Sequence, residues 1–344
     1  MTDELMALLK NNTWSLVPLP LGRTPIGYKW VFKVKENPNG SIQKCKARLV
    51  AKGFHQVAGF DFIETFSPIV KPGTTRVMLT IALSRGWLIH QLDVNNAFLN
   101  GVLHEEVFIE QPLGFIQHNQ SHLVCKLHKS LYGLKQAPRA WFEKLSTTLY
   151  AFGFISAKSD QSLFIRVTKS HSTYILVYVD DILITGSSEQ VVMHLITSLN
   201  REFALKDLGE VNYFLGIEVN HTSEGIHLSQ GKYITDLLCK AKMQGVNPIS
   251  TPMTSGQKLL GYGSESVQDV KLYRSIVGAL QYVIVTRPET AYSVNIVCQY
   301  MQAPLESHWK VVKRILRYLK GTLHHGLHLR KSPTLDLVAF CDAD

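Results

Sequence analysis

The stretch that decides the fold is Tyr174-Ile-Leu-Val-Tyr-Val-Asp-Asp-Ile-Leu-Ile-Thr-Gly186, in which two adjacent carboxylates interrupt an apolar run. The flanking residues are β-branched or aromatic and favour strands, so Asp180 and Asp181 fall at the connection between two strands. Asp-Asp is not a favoured two-residue turn, and uncompensated charges beside buried strands cost several kcal/mol. A divalent cation is the natural compensation, and a solvated Asp-rich turn is the alternative.

A second acidic motif, His90-Gln-Leu-Asp-Val-Asn-Asn-Ala-Phe-Leu-Asn-Gly101, lies earlier in the chain. Its Asp93 is also flanked by apolar residues and stands at the end of a predicted strand. A third carboxylate from a separate strand is what a two-metal phosphoryl-transfer site needs. A helix N-cap before Val94 is an alternative role for Asp93, and the two roles are compatible.

The composition favours an anionic partner. The 344 residues include 36 Lys and Arg against 27 Asp and Glu, a formal net charge of +9 that is typical of nucleic-acid-binding proteins, although a merely basic enzyme is the alternative. Five dispersed cysteines without a CxxC pair indicate neither a zinc site nor a disulfide framework. Without a secretory signal or an apolar run of spanning length, the sequence predicts an intracellular protein with no membrane partner.

The order of predicted elements mixes helices and strands without a regular βαβ alternation, which predicts an α+β fold. Helices are expected over 74–86, 138–153, 189–203, 271–302 and 306–320. Strands are expected over 90–93, 162–168 and 174–179, and hairpins over 28–50, with a turn at 37–40, and over 213–228. The Gly/Ser/Pro-rich segment 245–270 is the strongest linker or boundary signal.

Two basic surfaces are predicted to contact a nucleic-acid backbone. On the hairpin over 28–50 and just beyond it, positive charges dominate, among them Lys44, Lys46, Arg48 and Lys52. The helix over 306–320 has an apolar stripe, and the basic residues that fill its other face are Lys310, Lys313, Arg314, Arg317 and Lys320. A membrane surface or a protein partner is the alternative for a basic amphipathic helix.

In their order along the chain, the motifs resemble the reverse transcriptases, and in detail they are similar to the Ty1/copia class of LTR retrotransposons. The matching stretches are 12–18, 46–54, 64–68, 93–101, 130–141, 178–181, 214–218, 286–288 and 316–321. The resemblance implies a right-hand fold of fingers, palm and thumb. It also implies synthesis of DNA from dNTPs on a primer with an RNA or DNA template, with two Mg²⁺ ions, or Mn²⁺, at Asp93, Asp180 and Asp181.

The resemblance further implies roles around the incoming nucleotide. Phe98 would stack under the sugar and exclude a ribose 2′-hydroxyl, whereas without the motif a core Phe is the simpler interpretation. Gln136 would lie along the nucleotide, or be only a helix N-terminal residue. Arg48 would stack on the base and touch the triphosphate, because a planar guanidinium can do both.

Other nucleotide contacts are expected from the same resemblance. Lys46 or Lys44 would be the companion of the arginine, and Tyr178 belongs to the nucleotide-binding set. Lys206 would match a lysine that protonates the departing pyrophosphate, although a solvated lysine after a helix is common.

The predicted domains are a lead-in over 1–27, fingers and palm over 28–245, thumb or connection over 246–335, and a truncated start of an RNase H-like domain over 336–344. Asp342 would begin a second metal site whose other carboxylates are missing, so RNase H activity is not expected. A silent nucleic-acid-binding relic is one alternative. An unrelated Mg-dependent phosphotransferase is another, but the phosphate-loop motif that it needs is missing. The expected location is a cytoplasmic virus-like particle or the nucleus.

Overall fold

The computed structural model describes residues 1–36, 41–336, 338, 339 and 341. The turn expected at 37–40 and Asp342 lie outside the described residues. The chain folds into two compact units, of which the first comprises Met1–Thr75 with Leu88–Gly209, and the second Arg76–Trp87 with the chain from Glu210 onwards. Helices and strands are mixed in both units, which confirms the α+β prediction.

The first unit contains, in chain order, α1 (Thr2–Lys10), β1 (Trp14–Val17), β2 (Tyr28–Glu36), β3 (Ile42–Ala51) and the first residues of α2 (Pro72–Arg85). Next come β4 (Ile89–Val94), β5 (Val102–Ile109), β6 (Val124–Lys129), α3 (Ala137–Ala151), β7 (Ile155–Ser156), β8 (Leu163–Val167), β9 (Ser172–Tyr178), β10 (Asp181–Gly186), α4 (Glu189–Glu202) and β11 (Leu205–Glu210). Its sheets have the orders β11-β4-β10-β9-β8-β7, β1-β6-β5 and β2-β3.

The six-stranded sheet is held together by an apolar core on one of its faces. Alternate residues of β9 and β10, such as Ile175, Val177 and Ile182, are at most 2% exposed and pack against α3 and α4. The helices contribute apolar residues at helical spacing, for example Trp141 and Leu145 on α3. The opposite face of β9 and β10 is mixed, because Leu176 and Leu183 there are 0% exposed while Tyr178 and Asp181 are half-buried.

The second unit contains most of α2, followed by β12 (Tyr213–Phe214), β13 (Ile217–His221), β14 (Gly225–Ser229), α5 (Gly231–Lys240), α6 (Val270–Val283), α7 (Ala291–Cys298), α8 (Glu306–Gly321) and β15 (Leu327–Arg330). Its sheet has the order β12-β13-β14-β15, and an apolar core joins α5, α6, α7 and α8. No helix among the described residues is long and apolar enough to cross a membrane.

The structure differs from the sequence-based expectations in two places. The single helix expected over 271–302 is two helices, because Pro288 lacks an N–H and restricts the residue before it. The segment 245–270 is irregular, yet it packs into the core of the second unit through residues such as Val246 and Val267. The two compact units divide at Gly209/Glu210 in this part of the chain, and the predicted domain bounds stay a prediction.

Candidate active site

Two strand pairings bring the acidic motifs together. β10 pairs with both β9 and β4, and the register places Asp181 directly opposite Tyr178 on one side and Asp93 on the other. Directly opposite residues on antiparallel strands project from the same face, with Cβ atoms about 4.5–5.5 Å apart. Asp93 and Asp181 therefore share one face of the sheet despite their separation in sequence.

The turn between β9 and β10 consists of Val179 and Asp180, because Asp181 already pairs as the first residue of β10. Val179 has a φ of +54°, which is rare for a β-branched residue and costs about 1–3 kcal/mol. The indole Nε1 of Trp141 donates to the Val179 carbonyl at 2.6 Å, and the backbone N–H of Val94 donates to the Asp180 carbonyl at 2.9 Å. These two hydrogen bonds hold the strained turn against the core and against β4.

The three carboxylates are half-buried and repel one another. Burial, followed by the charges of Asp180 and Asp93, raises the pKa of Asp181 to about 6, and a hydrogen bond from the Gln91 side chain acts in the opposite direction. Burial also raises the pKa of Asp180, to which Asp93 adds, while its own backbone N–H and Arg48 lower it. In the described part of the chain, no cationic side chain forms an ion pair within 4.0 Å of these acids.

Among the described residues, no group of three or more His, Cys, Asp or Glu side chains stands ready to hold a metal ion. The donor set nevertheless fits one, since hard divalent cations take carboxylate oxygens. Two of the three carboxylates have raised pKa values because burial and mutual repulsion are not compensated. A divalent cation between Asp93, Asp180 and Asp181 would remove this penalty.

Three side chains that contact one another lie near the turn formed by Val179 and Asp180. The Arg48 guanidinium lies 4.4 Å from the centre of the Tyr132 ring, and the Phe98 ring meets Tyr132 edge-on with centroids 4.8 Å apart. Burial raises the pKa of Tyr132 to about 12, so this phenol stays neutral. The charges of Arg48, Asp180 and Asp93 all act on Tyr132. Arg48 and Phe98, two residues predicted to bind the nucleotide, therefore lie close to the carboxylates.

Tyr132 and Trp141 are absent from the predicted site residues, although both lie in the recognised stretch 130–141. Their contacts are long-range: Tyr132 joins β3 to the short 3₁₀ helix Ala97–Asn100, and Trp141 joins α3 to the acidic turn. No periodicity or motif spacing in the sequence around Tyr132 and Trp141 predicts these long-range contacts. The only signal is that a large aromatic residue follows a turn or begins a helix within a recognised motif.

Close backbone contacts fix the position of β3. The Ala51 N–H donates to the Tyr132 carbonyl at 2.7 Å, and a Cβ on Gly133 would lie 2.1 Å from the Ala51 carbonyl oxygen. Gly133 also has a φ of +91°, and a Cβ on Gly53 would lie 2.1 Å from the Gly133 carbonyl oxygen. Glycine at 53 and 133 therefore lets β3 approach the segment that carries Tyr132, and this approach places Arg48 over the ring.

Gln136 has both of its amide atoms engaged. It is 2% exposed at the N-terminus of α3, where its Nε2 donates to the Asp61 carbonyl and its Oε1 accepts from Gln56 Nε2, both at 2.8 Å. The structure thus gives Gln136 a structural role between the 56–61 segment and α3. A role along the nucleotide stays a prediction.

The remaining predicted residues of the first unit are spread more widely. Tyr178 lies opposite Asp181, and Lys46 is half-buried on β3, two residues before Arg48. Lys52 follows the end of β3, where its backbone N–H donates to the Gly27 carbonyl. Lys206 is exposed on β11, the strand beside β4, and nothing beyond its strand position connects it to the carboxylates. Lys44 lies on β3, but its side chain is outside the described part.

In the second unit, α8 uses most of its basic face structurally. Three of its predicted phosphate-binding residues donate to the loop 244–251 at 2.6–2.7 Å: Arg314, Arg317 and Lys320. Lys310 is exposed and Lys313 is half-buried, and neither has a hydrogen bond or ion pair within the described residues. Lys310 and Lys313 are therefore better placed than the other three cations to meet an external phosphate.

Comparison with known proteins places the chain in a family. Residues 11–255 match the family described as "Reverse transcriptase (RNA-dependent DNA polymerase)". Over its whole length the chain is 48% identical to "Retrovirus-related Pol polyprotein from transposon RE1" of Arabidopsis thaliana, and 40% identical to "Retrovirus-related Pol polyprotein from transposon TNT 1-94" of Nicotiana tabacum. It spans 24% and 27% of the lengths of these two proteins.

A shorter relative matches most of its own length. The "Putative transposon Ty5-1 protein YCL074W" of Saccharomyces cerevisiae is 34% identical over 73% of this chain and 82% of that protein. The family match covers more than half of the chain and includes β4, β9 and β10, which carry the acidic motifs. The chain therefore belongs to the reverse transcriptase family, and it is similar to Pol polyproteins of Ty1/copia-type retrotransposons.

Proposed function

We propose that this chain is an RNA-directed DNA polymerase that extends a primer with dNTPs on an RNA or DNA template. The observation that carries the proposal is the register of β4 and β10, in which Asp93 lies opposite Asp181 and Asp180 occupies the adjoining turn. Three uncompensated carboxylates in this arrangement are a donor set suited to two-metal phosphoryl transfer.

Asp93, Asp180 and Asp181 would hold two Mg²⁺ ions, for which Mn²⁺ can substitute. When bound, such ions lower the pKa of an attacking hydroxyl and neutralise charge on the triphosphate and leaving group. The protein's own contribution is to fix the carboxylates. The strained Val179 turn is held by Trp141, so Asp180 does not have to be ordered when substrate arrives.

Arg48 and Lys46 would bind the triphosphate of the incoming nucleotide. The guanidinium lies against the Tyr132 ring, which restricts its rotamers while leaving its N–H groups able to form paired hydrogen bonds to phosphate oxygens. Phe98 contacts the same ring edge-on and would act as the steric barrier to a ribose 2′-hydroxyl. Gln136 and Tyr178 complete the proposed nucleotide set.

The proposed architecture is a right hand, with fingers and palm within 28–245 and thumb or connection within 246–335. The names of the relatives associate those proteins with transposons, and a cytoplasmic particle or the nucleus is the proposed location of this chain. Template and primer would be bound through their backbones by the basic residues of β3 and α8, since such contacts are independent of sequence. The start of an RNase H-like domain at 336–344 is not assigned an activity.

Primer extension tests the proposal. The purified chain is incubated with poly(rA)·oligo(dT), dTTP and Mg²⁺, and product length is measured with and without EDTA. We expect metal-dependent extension that is abolished when Asp93, Asp180 and Asp181 are all changed to Asn. Primer binding without extension, in both Mg²⁺ and Mn²⁺, would show instead a silent nucleic-acid-binding relic of the same fold.

A further inference from the structure

The acidic first turn of α1 lines the same cleft as Arg48 and Lys46, the two cations proposed to bind the triphosphate. The cleft has a volume of about 210 Å³ and is lined by the first turn of α1, by the β3 residues from Cys45 to Arg48, and by Asn95 and Asn96. Asn95 and Asn96 follow Asp93 after only one residue, so the cleft adjoins the acidic site. Nothing in the proposed polymerase chemistry uses α1.

The helix is fixed in this position by its own packing. Leu8 is 0% exposed in an apolar cluster that also contains Leu49 and Ala51 of β3, and the Thr13 hydroxyl donates to the Leu8 carbonyl at 2.7 Å. Glu4, one turn before Leu8, therefore projects towards β3, where its carboxylate accepts a hydrogen bond from the Leu49 N–H. Asp3, next to it, is exposed.

The Glu4 carboxylate is half-buried and lies within the electrostatic range of the cations. Burial raises its pKa, and the Leu49 N–H, Arg48, the chain's amino group and Lys46 oppose that rise in decreasing order. Attraction is mutual, so Glu4 lowers the positive potential that Arg48 and Lys46 offer to any other anion. A triphosphate binding there must compete with a carboxylate that belongs to the protein.

We propose that Glu4 is an internal competitor of the triphosphate, and that α1 thereby sets the affinity of the Arg48 and Lys46 site for its anionic ligand. The proposal rests on the proposed function, because it assumes that Arg48 binds the triphosphate. Glu4 is not proposed to contact the primer or the metals. It acts only by lowering the positive electrostatic potential at Arg48 and Lys46. Neutralising Glu4 therefore strengthens anion binding.

Calorimetric titration with inorganic tripolyphosphate in EDTA tests the inference without requiring catalysis. Glu4→Gln keeps the shape of the side chain and an oxygen that accepts from Leu49, while it removes the charge. We expect its affinity for tripolyphosphate to rise about two- to fivefold, which is the range for one partly exposed charge pair, and the gain to shrink at high salt. Glu189→Gln makes the same change of net charge at an exposed position on α4, outside the cleft, and is expected to leave the affinity unchanged.

Arg48→Ala separates the inference from the function on which it rests. If Arg48→Ala weakens binding and Glu4→Gln strengthens it, the inference stands. If Arg48→Ala weakens binding and Glu4→Gln leaves it unchanged or weakens it, the inference is wrong and the role of Arg48 stands. If Arg48→Ala has no effect, the anion binds elsewhere and both fail. An equal gain in Glu189→Gln would show that the effect is one of net charge alone and would overturn the inference. Melting temperatures of all variants verify that each is folded.

Discussion

At the scale of single residues, the site is governed by the cost of placing three carboxylates together. Asp181 is half-buried, opposite Asp93 and next to Asp180, and its pKa of about 6 reflects burial first and like charge second. This arrangement destabilises the metal-free protein at neutral pH, because the folded state holds a charge that the unfolded chain solvates freely. A divalent cation bound by these carboxylates would offset this cost.

Metal-free stability should depend on Asp181. Its folded pKa is raised from the ordinary aspartate value of 3.8 to about 6, so its contribution to stability is full below about 3.8 and is lost as the pH rises through about 6. Asp181→Asn has no such group and should lose less stability between pH 4 and 7 than wild type does. Chemical unfolding in EDTA across this range measures the difference, and Asp207→Asn, an exposed change in the same unit, is the control. If the free energy of unfolding had the same pH dependence in wild type and Asp181→Asn, the raised pKa of Asp181 would be contradicted.

Sugar selectivity should depend on Phe98. Phe98→Val shortens the side chain beside Tyr132, so incorporation of rNTPs relative to dNTPs should rise by at least about tenfold, which corresponds to roughly 1.4 kcal/mol of lost discrimination. Single-nucleotide incorporation kinetics measure the ratio. Phe142→Val makes the same change in the core cluster that Phe98 touches, and should lower stability without changing the ratio. Unchanged discrimination in Phe98→Val would leave Phe98 as a core residue only.

At the scale of elements, the position of β3 depends on close backbone contacts as well as on side chains. Within the described residues the hairpin β2-β3 pairs with no further strand, and β3 is contacted by Glu4 at Leu49 and by the Tyr132 carbonyl at Ala51. Strand pairing of β2 and β3 could be predicted from their alternation. Their attachment to the rest of the unit could not, because it depends on two glycines that approach each other only in the fold.

Gly133→Ala should detach this edge. A Cβ at position 133 meets the Ala51 carbonyl at 2.1 Å and also has a positive φ, so the free energy of unfolding should fall by about 3 kcal/mol or more. Gly22→Ala has a similar φ of +76° with open space around it, and should cost only about 1 kcal/mol. Urea unfolding of the two variants gives both values. Equal losses would mean that φ alone, and not the contact with β3, explains Gly133.

The two kinds of cation on α8 should behave differently. Lys310→Ala with Lys313→Ala should flatten the slope of log affinity against log salt for duplex binding by about 0.7–0.9 per lost phosphate contact, and leave the melting temperature unchanged. Arg314→Ala with Arg317→Ala should lower stability by about 1 kcal/mol for each lost hydrogen bond, because the loop 244–251 is released. If only the Arg314→Ala/Arg317→Ala variant had a flatter slope, the arginines and not the lysines would be the phosphate contacts.

At the scale of the whole molecule, the sequence predicts what is local and misses what is tertiary. The strands around Asp93, Asp180 and Asp181, and the helices α2, α3, α4 and α8, follow from alternation, helical periodicity and capping residues. The contacts of Tyr132 and Trp141 could not be predicted, because they join segments far apart in the chain. Glycine and proline content predicts the irregular backbone of 245–270, but it does not predict that residues of this segment pack into the core of the second unit.

The central claim is that Asp93, Asp180 and Asp181 form one divalent-metal centre, and Mn²⁺ binding tests it most directly. Electron paramagnetic resonance counts the bound ions on the full chain with primer–template and a non-extendable nucleotide. The account predicts two ions in wild type, loss of at least one in each single Asp→Asn variant at the three positions, and no loss in Asp207→Asn. Equal Mn²⁺ binding by wild type and by all three single variants would contradict it.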